Sequence, residues 1–151
     1  MISVRPSQPS ANGSLMRLPK PGVSAGAYIC AAAGVLLLPL SWLTGWTIAV
    51  TVHESAHLLV LYWQKVPVQR IEIGLFGAKI TTGLMTAGQE LICAAAGPLS
   101  SLMLLAFGRS FPAAALIGLV QGIFNLLPFA PFDGGRMIRA AVSIFREGRG
   151  M

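Results

Sequence analysis

Two histidines and a glutamate are the residues of this sequence best suited to chemistry. His53, Glu54 and His57 form a His-Glu-x-x-His pattern inside an apolar stretch, and the 151-residue chain has no other histidine. Side chains four positions apart share one face of a helix, so His53 and His57 can offer two imidazole nitrogens to one metal ion, with Glu54 beside it. The surrounding stretch is apolar enough to lie in a bilayer, where ionisable side chains are costly and usually have a function. We therefore interpret the pattern as a zinc-hydrolase site rather than as two core histidines.

A catalytic zinc site needs a third protein ligand, for which Glu90 and Asp133 are the candidates. Such sites have three protein ligands and one position left for water. Glu90 starts an apolar span, where an exposed carboxylate costs little, and this favours an interfacial role for it. Asp133, the only aspartate, follows a stretch with two prolines, Asn125 to Phe132. Backbone of that kind is tolerated at membrane depth only where it lines protein or a water-filled cavity. We predict His53, His57 and Asp133 as ligands of one zinc ion, with Glu90 as the alternative third ligand.

The composition indicates a single-domain integral membrane protein. Of all residues 54% are hydrophobic and only 11% are charged, which is too apolar for an ordinary soluble domain. The net charge of +6 comes from basic residues that flank apolar spans, where they face lipid headgroups, so we expect no nucleic-acid partner. Cys30 and Cys93 each lie within an apolar span and are interpreted as packing residues.

Four apolar segments predict four transmembrane helices. They run from Ala25 to Leu43, Trp46 to Gln64, Glu90 to Phe107 and Pro112 to Pro128. The first has 19 residues without a charge, and at 1.5 Å per residue these extend roughly 28 Å, the thickness of a hydrocarbon core. A tight turn is expected at Thr44-Gly45, between the first two spans.

The segment between the second and third spans has a different pattern. Residues 70 to 75 alternate polar and apolar side chains, Gly74 and Gly77 mark a turn, and β-prone residues follow. This predicts a short membrane-associated β-hairpin, whose edge could pair with an extended substrate backbone. An amphipathic connector without a further role is the other interpretation.

The ends of the chain complete the predicted organisation. Residues 1–24 are expected to be a flexible cytoplasmic tail, 25–146 an intramembrane core and 147–151 a C-terminal tail. The fold class is an all-α membrane protein whose fourth helix is broken before Asp133. Of the 11 basic residues only Arg109 falls on the far side of the predicted spans, so both termini should face the cytoplasm from a multi-pass protein of the inner cell membrane.

The two motifs together resemble those of a known family. His53-Glu54-Ser55-Ala56-His57 and the later Asn125-x-x-Pro128-x-x-x-x-Asp133-Gly134 are similar to the two signatures of the site-2 protease family of intramembrane zinc metalloproteases, in particular its short bacterial branch. The resemblance extends from about Ala25 to Ile144. It implies His53, His57 and Asp133 as zinc ligands, Glu54 as catalytic acid and base, and Asn125 as a group that binds substrate or stabilises an intermediate.

The resemblance also implies the substrate class and the kinds of partner. The expected activity is hydrolysis of peptide bonds within or near transmembrane segments of membrane-anchored proteins, in contact with the lipid bilayer. Ser101 stands where many members have an asparagine after the Gly-Pro pair, and we expect a core of about four spans without the extra helices or regulatory domains of longer relatives. Gating is therefore expected to involve a regulatory membrane protein or a homo-oligomer. The alternative is a non-catalytic metal-binding adaptor or transport protein of the same fold. Glu54 separates the two interpretations, because a protein that only binds metal has little use for an acid and base beside the ligands.

Overall fold

The structure, a computed structural model, describes residues 3–4, 20–74, 77–130 and 132–150. These ranges contain mostly helix and one small sheet. The helices are α1 (Ala25–Leu37), α2 (Leu40–Trp63), α3 (Ala87–Met103), α4 (Pro112–Asn125) and α5 (Asp133–Gly148), with a 3-10 turn over Leu104–Phe107. The strands are β1 (Ser3–Val4), β2 (Lys20–Val23), β3 (Val68–Gly74) and β4 (Gly77–Thr82).

The predicted hairpin forms the centre of the sheet. β3 and β4 pair antiparallel, with Ile71 opposite Ile80. Outside them β2 pairs parallel with β3 and β1 parallel with β4, which gives the order β1-β4-β3-β2. Lys20–Val23 lies in the segment for which the sequence predicts no regular structure, and the hairpin edge supplies the backbone partners that make it a strand. Apart from β1, the chain before Lys20 lies outside the described residues.

The boundary between the first two helices differs from the sequence prediction. The break falls at Leu38 and Pro39, and Pro39 caps α2, because proline lacks an amide hydrogen and is best tolerated at the start of a helix. The expected turn at Thr44-Gly45 is wrong, since both residues lie within α2. Gly45 is instead a packing position, where a Cβ atom would come within 2.8 Å of the Ala113 side chain on α4.

Helix α3 is the centre of the bundle and packs against α2, α4 and α5. It begins with a capping box, in which the Thr86 hydroxyl accepts from the Gln89 amide and the Gln89 side chain accepts from the Thr86 amide. Two reciprocal bonds of this kind satisfy amides that have no helical partner. Pro98 lies within the helix. The backbones of α3 and α4 approach closely at Gly118, where a Cβ atom would lie 2.7 Å from the Ser101 carbonyl oxygen.

The chain is not helical between α4 and α5, at the place where the sequence predicts a break. α4 ends at Asn125 and α5 begins at Asp133. A Cβ atom on Gly134 would overlap the Leu126 carbonyl, and one on Gly135 would overlap the Phe129 carbonyl. The two glycines therefore let the connecting loop lie directly against the first turn of α5, which fixes the position of Asp133.

The outer surface is strongly apolar. Large hydrophobic side chains are exposed along α1 to α4, and α1 has no buried residue. Among the described residues, Ala87–Phe107 is the one helical segment that is both long enough and apolar enough to cross a membrane, judged by length and composition. Two shorter apolar helices, α1 and α4, accompany it.

Candidate metal centre

The two histidines lie on the buried stripe of α2. The buried residues of this helix follow at intervals of four: Gly45, Ala49, His53, His57 and Leu61. Residues at that spacing share one face, and in α2 this face packs against α3 and α4. The small residues at one end allow close helix contact, so the imidazoles project into the interior of the bundle.

The structure brings His53, His57 and Asp133 together although the last two are 76 positions apart in the sequence. The Nε2 atoms of the histidines are 3.3 Å apart, and each lies 3.3 Å from Asp133 Oδ2. All three residues are buried. The donor atoms thus form a nearly equilateral triangle, which is a group able to hold one metal ion.

The dimensions of this triangle fit a tetrahedral zinc site. Zinc binds nitrogen and oxygen at about 2.0–2.2 Å, and two ligands of a tetrahedron at these distances are separated by roughly 3.3 to 3.6 Å. The observed edges of 3.3 Å fall in that range. The described part of the chain therefore offers three donor atoms that could hold one zinc ion.

The hydrogen bonds of the imidazoles also favour a cation between them. His57 Nδ1 lies 2.8 Å from the Cys93 carbonyl oxygen, which can only accept, so His57 Nδ1 carries the proton. His53 Nδ1 lies 2.9 Å from the Ser101 hydroxyl. With Nδ1 protonated, His57 Nε2 and Asp133 Oδ2 direct lone pairs at each other across 3.3 Å, an arrangement that a metal ion bound between them would stabilise. Such outer partners fix the tautomer and the orientation of ligating imidazoles.

Gly97 provides the space for the ion. A Cβ atom at this position would overlap His57 Nε2 and lie 2.7 Å from His53 Nε2. A methyl group there would therefore occupy the region between the two imidazoles that a metal ion needs. Gly97 also lies one turn from each of Cys93 and Ser101 on α3, so one face of this helix supplies both hydrogen-bond partners and the gap between them.

Glu54 is held by the β-hairpin. Its Oε1 atom accepts a hydrogen bond of 3.0 Å from the Ala78 amide at the start of β4. The hairpin approaches so closely that a Cβ atom on Gly77 would lie 2.8 Å from the same oxygen, and Gly77 has a φ of +115°, which side chains rarely adopt. The contact joins the hairpin to the helix that carries the histidines.

Glu90 and Asn125 lie outside the triangle. Glu90 Oε1 is 3.6 Å from Arg136 Nε, and Glu90 is not a member of the metal-binding group found among the described residues. The Asn125 amide donates to the Gln121 carbonyl within α4 at 3.0 Å. A part for Asn125 in substrate binding therefore stays a prediction.

Three contributions to this site were not predicted by the sequence analysis: the space left by Gly97, the contact of Ser101 with His53, and the contact of Arg136 with Asp133. Arg136 is buried and donates to Asp133 Oδ1 at 3.1 Å, whereas in the sequence analysis it is counted among the basic residues that flank apolar spans and face lipid headgroups. A signal was available for two of them. Gly97 and Ser101 repeat the spacing of four that His53 and His57 show, and they do so in the span next to them.

Comparison with known proteins connects this site to a family of peptidases. Residues 91–150 match the sequence profile of peptidase family M50. This range includes Gly97, Ser101 and Asp133.

Individual relatives support the same connection. A Mycobacterium tuberculosis protein named as a zinc metalloprotease, Rip3, is 33% identical over 132 residues, which cover 75% of this chain and 32% of the relative. A zinc metalloprotease of Methanocaldococcus jannaschii is 30% identical over 110 residues, which cover 64% of this chain and 32% of the relative. The chain thus spans about a third of the length of these relatives.

A solved structure shares the fold. The site-2 protease from Methanocaldococcus jannaschii superposes with a TM-score of 0.65 at 23% identity, covering 82% of this chain and 67% of that chain. The bundle with its small sheet is therefore the site-2 protease fold.

Proposed function

We propose, on the premise that the chain belongs to peptidase family M50, the site-2 protease family, that it is an intramembrane zinc endopeptidase. The observation that carries the proposal is the buried triangle of His53, His57 and Asp133, with edges of 3.3 Å. Glu54, adjacent to the first of these ligands, supplies the acid and base that distinguishes an enzyme from a metal carrier.

His53, His57 and Asp133 would hold one zinc ion, which supplies a Lewis acid and lowers the pKa of bound water towards 7. Glu54 takes a proton from the attacking water and returns it to the nitrogen of the leaving amine. The Ala78 amide, 3.0 Å from Glu54 Oε1, orients the carboxylate for both transfers. The buried surroundings of the histidines exclude bulk water, which strengthens each of these electrostatic interactions.

The substrate would be a transmembrane segment presented as an extended strand. A helix hides its carbonyl groups in hydrogen bonds, so cleavage requires local unwinding. The hairpin lies against Glu54. Because β2 and β1 flank its two strands in the described sheet, a substrate strand would replace one of these flanking strands or add outside it. Asn125 is proposed to contact this substrate from the end of α4.

The bilayer would surround α1 to α4. α2, with 24 residues, extends about 36 Å and is long enough for the hydrocarbon core, although Ala87–Phe107 is the one described helix that also meets the criterion of apolar composition. α1 and α4, with 13 and 14 residues, extend only about 20 Å each. In the proposed multi-pass core all four helices lie within the bilayer, and both termini and the hairpin lie on the cytoplasmic side. Gating by a second membrane protein or by a second copy of the chain completes the proposal.

Metal content and cleavage test the proposal together. The full chain and its Asp133→Ala, Glu54→Gln and Glu90→Gln variants would be purified in detergent, and zinc per chain would be measured by elemental analysis. Cleavage of a single-span model protein would be followed in proteoliposomes. We expect about one zinc per chain in the wild type, in Glu54→Gln and in Glu90→Gln, and loss of zinc in Asp133→Ala.

Glu54→Gln separates the enzyme from the alternative. Cleavage should fall at least about 100-fold in this variant because a general base contributes roughly 10²–10⁴-fold. Unchanged cleavage with normal zinc content would remove Glu54 from the mechanism. A folded wild type without zinc would refute the proposal as a whole.

A further inference from the structure

Arg136 is a charged side chain buried next to the metal centre. Only 1% of its side chain is exposed, and a buried guanidinium is retained only where partners compensate for its lost hydration. Two carboxylates lie within ion-pair distance in the described structure, although Nε and Nη2 have no hydrogen-bond partner there. Nη1 donates to Asp133 Oδ1 at 3.1 Å, and Nε lies 3.6 Å from Glu90 Oε1.

The contact divides the two oxygens of Asp133 between the histidine pair and Arg136. Oδ2 faces the histidines at 3.3 Å, and Oδ1 faces Arg136 at 3.1 Å. Asp133 and Arg136 are three residues apart in the first turn of α5, so the helix holds them on one face. With Oδ1 engaged, the carboxylate is oriented to offer a single oxygen to the ion, which keeps a coordination position open for water.

Glu90 balances the charge of Arg136. Its side chain is 26% exposed and reaches the guanidinium from the first turn of α3. Without it, the arginine would place an uncompensated positive charge beside a site that must hold a dication. The Glu90 carboxylate therefore favours metal binding from a position where it does not ligate.

From these contacts we propose that Arg136 and Glu90 form a positioning pair that orients Asp133 for one-oxygen metal binding. The pair lies outside the ligand set, and its task is to set metal affinity and coordination number. The inference rests on the proposed zinc site, and its test measures metal binding rather than proteolysis.

The test uses the full chain in detergent and two readouts. Zinc affinity would be measured by competition with a chromophoric chelator, and coordination by the visible absorption spectrum of the cobalt(II) form, which is intense for four ligands and weak for five or six. Arg136→Met should weaken zinc binding about 10 to 100-fold and shift the cobalt spectrum towards weaker absorption. Arg136→Lys, which keeps the charge but not the planar donor group, should restore part of the affinity. Glu90→Gln should weaken binding several-fold with the same spectral trend.

Arg139→Met is the matched control because Arg139 lies on the same helix one turn later and is exposed. It should bind both metals as the wild type does. A zinc affinity and a cobalt spectrum like those of the wild type in Arg136→Met would overturn the inference. If Arg136→Met does not fold, wild-type affinity and spectrum in both Arg136→Lys and Glu90→Gln would overturn it. A wild type that binds no metal would instead refute the zinc site itself.

Discussion

The metal centre depends at the residue scale on what surrounds the three donors as much as on the donors. The Cys93 carbonyl and the Ser101 hydroxyl fix the histidine rings, Arg136 fixes the carboxylate, and Gly97 leaves the space between them. Outer partners of this kind commonly change metal affinity by about 10 to 100-fold when they are removed. Ser101 thus has a defined position against His53.

Gly97→Ala should abolish metal binding. The added methyl group would overlap His57 Nε2 and crowd His53 Nε2, and the helix backbone cannot move away from a packed neighbour without cost. Zinc content by elemental analysis should fall from about one per chain to near zero, and cleavage should be lost with it.

Gly88→Ala is the control for this substitution. Gly88 lies on the same helix, and a Cβ atom there meets nothing within 4 Å. It should retain zinc and gain up to about 1 kcal/mol of helix stability. Normal zinc content in Gly97→Ala would mean that the ion does not occupy the space between the two imidazoles.

The arrangement of elements explains how residues far apart in sequence reach one point. α3 contacts α2, α4 and α5, so a single helix faces both the histidines and Asp133. The loop before α5 lies against Gly134 and Gly135, and this contact brings the aspartate back to α2. The hairpin reaches the same point from outside the bundle, through the amide of Ala78.

Gly77→Ala tests the contact between the hairpin and Glu54. Its φ of +115° is strained for alanine, and the Cβ atom would lie 2.8 Å from Glu54 Oε1. A displaced or reoriented carboxylate should slow cleavage at least about tenfold, equivalent to 1.4 kcal/mol in the barrier. Zinc content should stay normal because the ligands are untouched.

Gly74→Ala is the matched control on the opposite strand. There a Cβ atom would make an ordinary contact of 3.5 Å with the Gly77 carbonyl oxygen. It should cleave the substrate at close to the wild-type rate. Equal rates in Gly77→Ala and the wild type would show that the hairpin does not control Glu54.

The apolar surface and the distribution of charge determine how the whole molecule would lie in a membrane. Exposed large hydrophobic side chains cover α1 to α4, as expected for a protein in contact with lipid. Arg136 is buried in an ion pair and so does not count towards orientation. Ten basic residues remain, of which only Arg109 lies on the far side of the predicted spans, and the charge rule still favours cytoplasmic termini.

Cysteine labelling tests this orientation. In a background with Cys30→Ala and Cys93→Ala, Arg109→Cys and Arg149→Cys would be treated with a membrane-impermeant maleimide. Both positions are exposed. We expect Arg109→Cys to be modified in intact cells and Arg149→Cys only in inside-out vesicles. The reverse pattern would invert the orientation. Labelling of both positions from one side would require an even number of spans, zero or two, between Arg109 and Arg149.

The sequence by itself determined the chemistry and the approximate elements. A spacing of four identified His53 and His57, alternation identified the β-hairpin, and two prolines before Asp133 identified the break between the last two helices, because each of these signals is local. The family resemblance, carried by two short motifs, is confirmed by the comparisons.

Only the tertiary structure decided which distant groups meet. Gly45 lies inside α2 because it packs closely against Ala113. Glu90 pairs with Arg136 because α3 packs on α5. Gly97 matters because a side chain there would fill the gap between the two imidazoles. These are contacts between elements that are distant in sequence. A glycine in an apolar helix or an arginine near other arginines can have several structural roles, and the local sequence pattern does not indicate which of them applies.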